Sequence, residues 1–406
     1  MPFQLTAIRS QFPAFERLHQ HQPVIFADGP AGSQVPRCVV EAMNQYLYHH
    51  NANHGGCFLT SQESDAILHQ AHKHAAAFFG VSDPDCIVFG NNMTTLTFAL
   101  SRAIARTWQA GDEIVLSRCD HDANVTPWAL AAQDRGVIVR WIQLHHDDCT
   151  LDLDSLKHAL NPRTKLVAVG IASNAVGTVH PVRKIADMAH EVGALVFLDA
   201  VHYAAHCLLD APATHADLIA CSAYKFFGPH VGLLWGHRHL LEQFTPYKVR
   251  PASNVVPDRW MTGTQNHEGI AGVAACIDYL ASLAESGTTL REKLTSAYSR
   301  ISEHERQLGQ AFLEGVKSLP CYRVLGLPTM EGRVSTFGLL HSKWTAAQLS
   351  QRLAEQGIFT WAGNFYALPL TEALGLEPEG MLRIGFLHYN TLDEVERVVS
   401  ALAQLA

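Results

Sequence analysis

At 406 residues, with 48% hydrophobic and 17% charged positions, the chain has the composition of an ordinary folded enzyme with room for one large unit and one smaller one. A net charge of −8 lacks the basic excess that nucleic-acid binding requires, and no apolar run reaches the ~20 residues of a membrane helix. The first residues, MPFQLTAIRSQFPAFERL, carry no charged-then-apolar leader, so no secretory signal is expected. The nine cysteines form no C-x-x-C pair, which favours reduced thiols in a cytoplasmic enzyme over a disulfide framework. Histidine is abundant, with 24 copies, but no H-E-x-x-H pattern or regular ligand set occurs, and no metal site is expected.

Residues 1–20 read as an N-terminal arm that packs with a C-terminal unit, and 21–268 as the large domain. From about 85 to 236, short apolar runs alternate with helical patterns. The runs are 86–89, 113–117, 137–144, 165–172, 194–199, 216–222 and 231–235. Helical spacing falls at 94–106, 127–135 and 182–192, with Pro181 at a helix start and Gly193 at a helix end. Such alternation, with runs apolar on both faces, predicts an α/β fold built on a mostly parallel sheet covered by helices. A helical stretch over 269–313 follows. The remainder, through 406, reads as a small α/β domain, with strands at 336–340 and 382–386 and helices at 346–356 and 392–405.

In open α/β sheets, ligands sit beyond the carboxyl ends of strands. After 86–89 come Gly90, Asn91, Asn92, Met93, Thr94 and Thr95, small and polar residues opening a helix. They suit an anion site, and equally an ordinary N-cap. Asp199 ends the run 194–199, where an acid is costly to bury without a cation. The protonated ring nitrogen of pyridoxal phosphate (PLP) is one such partner, and helix capping by a buried Asp is the alternative. Lys225, between Tyr224 and Phe226 and just before Gly228-Pro229, is poorly placed for a solvated surface. A desolvated lysine makes a Schiff-base nucleophile, whereas a snorkelling one is only structural.

From about residue 12 to 400, the chain resembles the class V aminotransferases, and within them the cysteine desulfurase-like branch of PLP enzymes with the type I fold. Ser222-Ala223-Tyr224-Lys225 is similar to the family's S-x-H-K segment, with Tyr224 in the histidine's place; the resemblance makes Lys225 the cofactor-bearing lysine. Asp120-His121-Asp122-Ala123-Asn124 resembles E-H-x-A-N, which would stack His121 on the cofactor ring. Ser173-Asn174-Ala175-Val176-Gly177 resembles S-N-x-x-G, which would set Asn174 near the cofactor's O3′ and the substrate. Asp199-Ala200-Val201-His202 resembles D-x-x-Q, with His202 for glutamine. Met93, Thr94 and Thr95 match the phosphate loop. Gly263-Thr264-Gln265-Asn266 matches the loop by which a second subunit reaches that phosphate, which implies a homodimer. Asn53-His54-Gly55-Gly56 matches a substrate-side loop, and Arg383 the arginine that forks onto the substrate carboxylate.

One stretch departs from the pattern. Where desulfurases carry a sulfur-accepting cysteine on a late loop, this chain has Ala362-Gly363-Asn364-Phe365-Tyr366-Ala367-Leu368-Pro369, with Tyr366 in the cysteine's place. Cys57, in the substrate-side segment, is the alternative thiol, or else a small residue without such a role. The resemblance therefore implies a small amino-acid substrate handled through an external aldimine and a Cα carbanion, by a C–S (Cβ–X) lyase. A desulfurase using another thiol, an aminotransferase, an epimerase and a non-enzymatic PLP-binding regulatory module are the competing expectations.

Overall fold

The computed structural model describes residues 3–406, so the first two residues of the expected N-terminal arm lie outside those described. Seven strands form the central sheet: β1 (Ile87–Gly90), β2 (Glu113–Ser117), β3 (Ile138–Ile142), β4 (Thr164–Gly170), β5 (Leu195–Asp199), β6 (Leu218–Ser222) and β7 (Gly232–Gly236). Their spatial order is β1-β7-β6-β5-β4-β2-β3. β3, β2, β4, β5 and β6 pair in parallel, while β7 runs antiparallel between β1 and β6. The reversal follows from the short connection at 223–231, since a parallel return needs a longer crossover. β2, β6 and β7 are buried at every position, which is why residues 114–116, 218–221 and 232–236 read as apolar stretches. The edge strand β3 alternates instead.

Helices α1 (Met93–Ile104), α2 (Thr126–Arg135) and α3 (Val182–Glu191) occupy the three helical windows of the large unit. The predicted stretch over 269–313 is two helices, α4 (His267–Ser282) and α5 (Leu290–Lys317). The break has a local cause. Thr289 and Glu292 make a capping box that starts a new helix, and Gly287 takes φ +120° just before it.

The C-terminal sheet contains β8 (Tyr322–Leu325), β9 (Thr336–His341), β10 (Trp361–Gly363) and β11 (Met381–Gly385), in the order β8-β9-β11-β10 and antiparallel throughout. With α6 (Ala346–Ala354), α7 (Leu392–Gln404) and the second half of α5, it encloses a separate core around Phe312, Phe337, Leu382 and Val398. The N-terminal residues touch both cores. Phe12 packs against Tyr279 and Tyr389, Arg9 donates to the Tyr389 carbonyl at 2.8 Å, and Ile25–Phe26 pairs in parallel with Ile358–Phe359. This chain path leads residues 28–33 across the carboxyl ends of the central strands.

Candidate active site

The carboxyl ends of β1, β2, β4, β5 and β6 open onto a cavity of about 590 Å³. Met93, Thr94, Thr95, His121, Asn174, Asp199, His202, Ser222, Tyr224 and Lys225 all line it. At its head is the start of α1. The Met93 N–H donates to Ser222 Oγ at 2.9 Å, the Thr95 N–H to Asn92 Oδ1 at 2.9 Å, and the Leu96 N–H to the Asn92 carbonyl at 3.2 Å. Thr94 is left with its amide and hydroxyl free among the described residues, at the end of a helix that favours negative charge. Gly232 on β7 passes beneath. A Cβ there would lie 2.4 Å from the Asn92 carbonyl carbon, so only glycine lets the strand come so close.

Across the cavity, Asp199 ends β5 with Oδ1 accepting the Val201 N–H at 2.8 Å. Burial pushes its carboxyl up to about 6, although the Lys225 charge works against that. Lys225 follows β6 by one tight turn, and Nζ donates to the carbonyls of Pro30 (2.6 Å) and Ala31 (2.8 Å). Burial, helped by the Arg383 charge, brings its ammonium down to about 7, while Asp199 and Asp28 pull the other way. His121 Nδ1 accepts the Ala123 N–H at 3.0 Å, which places the ring proton on Nε2. Burial with Lys225 and Arg383 nearby lowers His121 to about 4, so the ring is neutral. His202 Nε2 lies 3.0 Å from Thr336 Oγ1, and burial drives it well below the usual histidine range. The Tyr224 ring stacks on His230 at 5.0 Å.

A second cavity of about 710 Å³ adjoins the first and shares His121, Asn174, Tyr224 and Lys225 with it. It adds Tyr366 and Arg383. Arg383, on β11, donates from Nη1 to the Asn174 carbonyl at 3.0 Å, and its guanidinium carbon lies 4.1 Å from the Phe365 ring centre. Burial lowers it to about 9, against the pull of Asp28, and it stays a cation at neutral pH. His54 and Thr264 are elsewhere. They line a third cavity, of about 730 Å³, which shares no residue with the other two.

The structure brings in two acids to which sequence reasoning assigned no role of their own, Asp28 and Asp120. Asp28 is placed by the bridge to Gly385, and burial raises it to about 6 even with Arg383 and Lys225 pulling it down. Its Oδ1 is enclosed without a hydrogen-bond partner among the described residues. The signal was present, because Asp28 follows the apolar run 24–27 just as Asp199 follows its own. Asp120 ties two strand ends together: its carboxylate accepts the Gly170 N–H at 2.9 Å and Asn124 Nδ2 at 2.7 Å. Burial, with Asp199 adding to it, pushes Asp120 up to about 8.

The profile of the family described as Aminotransferase class-V matches residues 25–398. The chain belongs to the aminotransferase class-V family. Among class-V relatives, a "Probable cysteine desulfurase" of Vibrio cholerae is 30% identical over 416 residues, covering 99% of this chain and 98% of that one. The "Aminotransferase-like protein FGM3" of Gibberella zeae is 31% identical over 414 residues, covering 98% of each. Among solved structures, a cysteine desulfurase from Thermococcus onnurineus NA1 superposes with TM-score 0.89 at 26% identity, over 100% of this chain and 98% of its own. A C-DES mutant with glycine covalently linked to its PLP cofactor shares the fold, with TM-score 0.81 at 20% identity, over 97% of this chain and 98% of its own. The class-V chain described here is thus a PLP-dependent enzyme of the cysteine desulfurase-like branch, with the type I PLP fold.

Its first cavity fits that cofactor on its own chemistry. It offers a desolvated amine in Lys225, an acid at the far end in Asp199, and a helix start with a free amide at Thr94. Asn174 Oδ1 is also enclosed there without a protein partner among the described residues.

Proposed function

We propose that this class-V enzyme cleaves a Cβ–S (or other Cβ–X) bond of cysteine or a related amino acid by β-elimination, without storing sulfur on a thiol of its own. The 363–369 segment carries this reading. Tyr366 stands where the resemblance to desulfurases expects the sulfur-accepting cysteine, and the segment is fastened to the site. The Phe365 carbonyl accepts Asn174 Nδ2 at 3.0 Å, the Tyr366 carbonyl accepts the Asp122 N–H at 2.6 Å, and the Tyr366 ring stacks on His121 at 5.4 Å. Among the described residues, the one cysteine lining either cavity is Cys119, whose thiol is fully enclosed and held protonated by burial. A sulfur acceptor needs an accessible thiolate, and a phenol has no sulfur with which to supply one. Cys57 is exposed and lines neither cavity.

When bound, PLP supplies an aldehyde for amines and a ring that withdraws electrons from the substrate α-carbon. The residues of this chain set up the rest. Thr94 and its helix start would hold the phosphate, and Asp199 would keep the ring nitrogen protonated. His121 and Asn174 would cover and orient the ring. Arg383 would fix the substrate carboxylate, which aims the α-hydrogen. Lys225, an amine that loses its proton near neutral pH, would take that hydrogen. Tyr366 has a hydroxyl able to donate a proton or hydrogen bond to the departing group.

The active unit in this reading is a homodimer. His54, Thr264 and the exposed Val249 share the third cavity, and Phe58 and Leu59, also exposed, follow the His54 segment directly. Exposed apolar side chains beside a cavity that carries two residues absent from the Lys225 cavity support a partner subunit that completes the site. Light scattering on the PLP-loaded protein should show a dimer; full activity in a monomer counts against it.

The names of the relatives favour a second reading, desulfuration of cysteine onto an enzyme thiol. Cysteine added to the holoenzyme separates the two. Elimination yields sulfide, pyruvate and ammonia. Desulfuration yields alanine and a mass increment of one sulfur on the protein, and that outcome would overturn the lyase reading. A keto acid that retains the substrate side chain would indicate transamination, and a racemised substrate epimerisation.

A further inference from the structure

The cavity on the substrate side is much larger than cysteine requires. Its volume, about 710 Å³, falls in the range of pockets for drug-sized ligands, whereas the side chain of cysteine is one methylene and one thiol. Its outer wall is apolar and aromatic: Phe98, Pro127, Trp361, Ala362, Phe365 and Tyr366. Two of these rings face outward, with Trp361 52% exposed and Tyr366 72% exposed, although such rings are normally covered. Beyond Lys225 and Arg383, the charged side chain in the lining is Asp122, whose Oδ2 already accepts the Thr126 hydroxyl at 2.7 Å. A second anion there would meet that carboxylate with no free cation to balance it.

This wall is preformed. Phe365 and Tyr366 both adopt left-handed backbone, with φ +56° and +58°, a conformation that persists only where surroundings impose it. The surroundings are on hand. The Tyr366 N–H donates to Asn364 Oδ1 at 3.1 Å, Asn364 Nδ2 donates to Glu377 at 3.1 Å, and the Thr371 hydroxyl donates to the same carboxylate. Gly380, at φ +66°, packs directly on the Gly363 backbone, where any Cβ would collide.

We infer that the site accepts S-substituted cysteines whose substituent is neutral and apolar or aromatic, with that substituent lying against Trp361, Phe98 and Tyr366. This rests on the elimination reading above. The reaction balances without an oxidant. The α-hydrogen leaves as a proton, the Cβ–S bond breaks with its electron pair going to sulfur, and the sulfur takes up a proton to leave as a thiol. The remaining three-carbon fragment takes up water to give pyruvate and ammonia. The aromatic wall both binds the substituent and receives the departing thiol.

The test uses the PLP-loaded enzyme with three probes: S-benzyl-L-cysteine, L-cysteine and S-carboxymethyl-L-cysteine. Pyruvate formation and the change in cofactor absorbance on binding are both followed. S-benzyl-L-cysteine should exceed cysteine in kcat/KM by about tenfold or more, as expected for apolar groups filling a matching pocket. The carboxymethyl compound should be the weakest. Trp361→Ala should raise KM for the benzyl substrate by about tenfold and change that for cysteine far less. Because the indole is half exposed, the variant should keep its cofactor spectrum. If cysteine is preferred, or Trp361→Ala affects both substrates equally, the pocket assignment falls while elimination stands. If no probe yields pyruvate but S-benzyl-L-cysteine still perturbs the cofactor at lower concentration than cysteine, elimination falls and the substrate class stands. If no probe perturbs the cofactor, the inference is overturned.

Discussion

Arg383 is the sharpest handle on the site, because its removal should change two observables in different ways. The guanidinium is buried, one N–H is spent on the Asn174 carbonyl, and one face is covered by Phe365. Its remaining donors have no partner among the described residues and are available to a carboxylate. Truncating one partner of a buried, hydrogen-bonded charge pair costs about 2–5 kcal/mol, and the lower half of that range suits a cavity open to water. Arg383→Ala should therefore raise KM for amino acids by roughly 30- to 300-fold. Simple amines, which lack the carboxylate, should be little affected. The second effect is on Lys225. The Arg383 charge helps to lower the Lys225 ammonium to about 7, so removing it must raise that value. PLP is captured by the neutral amine. The rate at which PLP-free protein takes up PLP should climb with pH through about 7 in the wild type and level off above it. In Arg383→Ala the same climb should come at higher pH. Stopped-flow absorbance across a pH series reads both arms. Equal losses for amines and amino acids, with an unmoved profile, would make Arg383 structural and refute this account.

Lys225→Ala should still bind PLP loosely but lose turnover, and borohydride followed by peptide mapping should mark Lys225 in the parent enzyme; a label on another lysine would displace the assignment. Tyr366→Phe should slow elimination and leave the cofactor spectrum intact, whereas Tyr366→Cys should allow some sulfur to accumulate on the protein, read by mass spectrometry. His206 Nδ1 and Glu305 Oε2 lie 2.6 Å apart with both side chains buried, behind His202. Glu305→Ala, which strands one polar group of that pair, should cost about 1–3 kcal/mol of stability, seen as a lower urea midpoint. An unchanged midpoint would mean that water replaces the carboxylate without penalty.

Several features of this protein could be read locally because the local sequence is anomalous without them. An acid closing the apolar run at Asp199, and a lysine between Tyr224 and Phe226, are each costly unless a cofactor or partner compensates. Strands buried on both faces show as apolar runs, so all seven central strands, as well as α1, α2 and α3, fall at runs and windows legible from composition and spacing; β3, at the sheet edge, is the most mixed of them. The short strands β8 and β10 left no such mark, because four or three residues carry little periodicity and find their partners far along the chain. The grip on Lys225 by the Pro30 and Ala31 carbonyls, nearly two hundred residues away, is likewise a matter of chain path. So is the meeting of Asp28, Arg383 and Lys225, whose charges shift one another only once the N-terminal segment crosses the strand ends. The sequence marks Tyr366 as a residue that cannot carry sulfur. Only the tertiary structure shows that its segment is pinned by Asn174 and Asp122 into an aromatic wall, because hydrogen bonds and ring stacking depend on where distant strands end rather than on which residues adjoin.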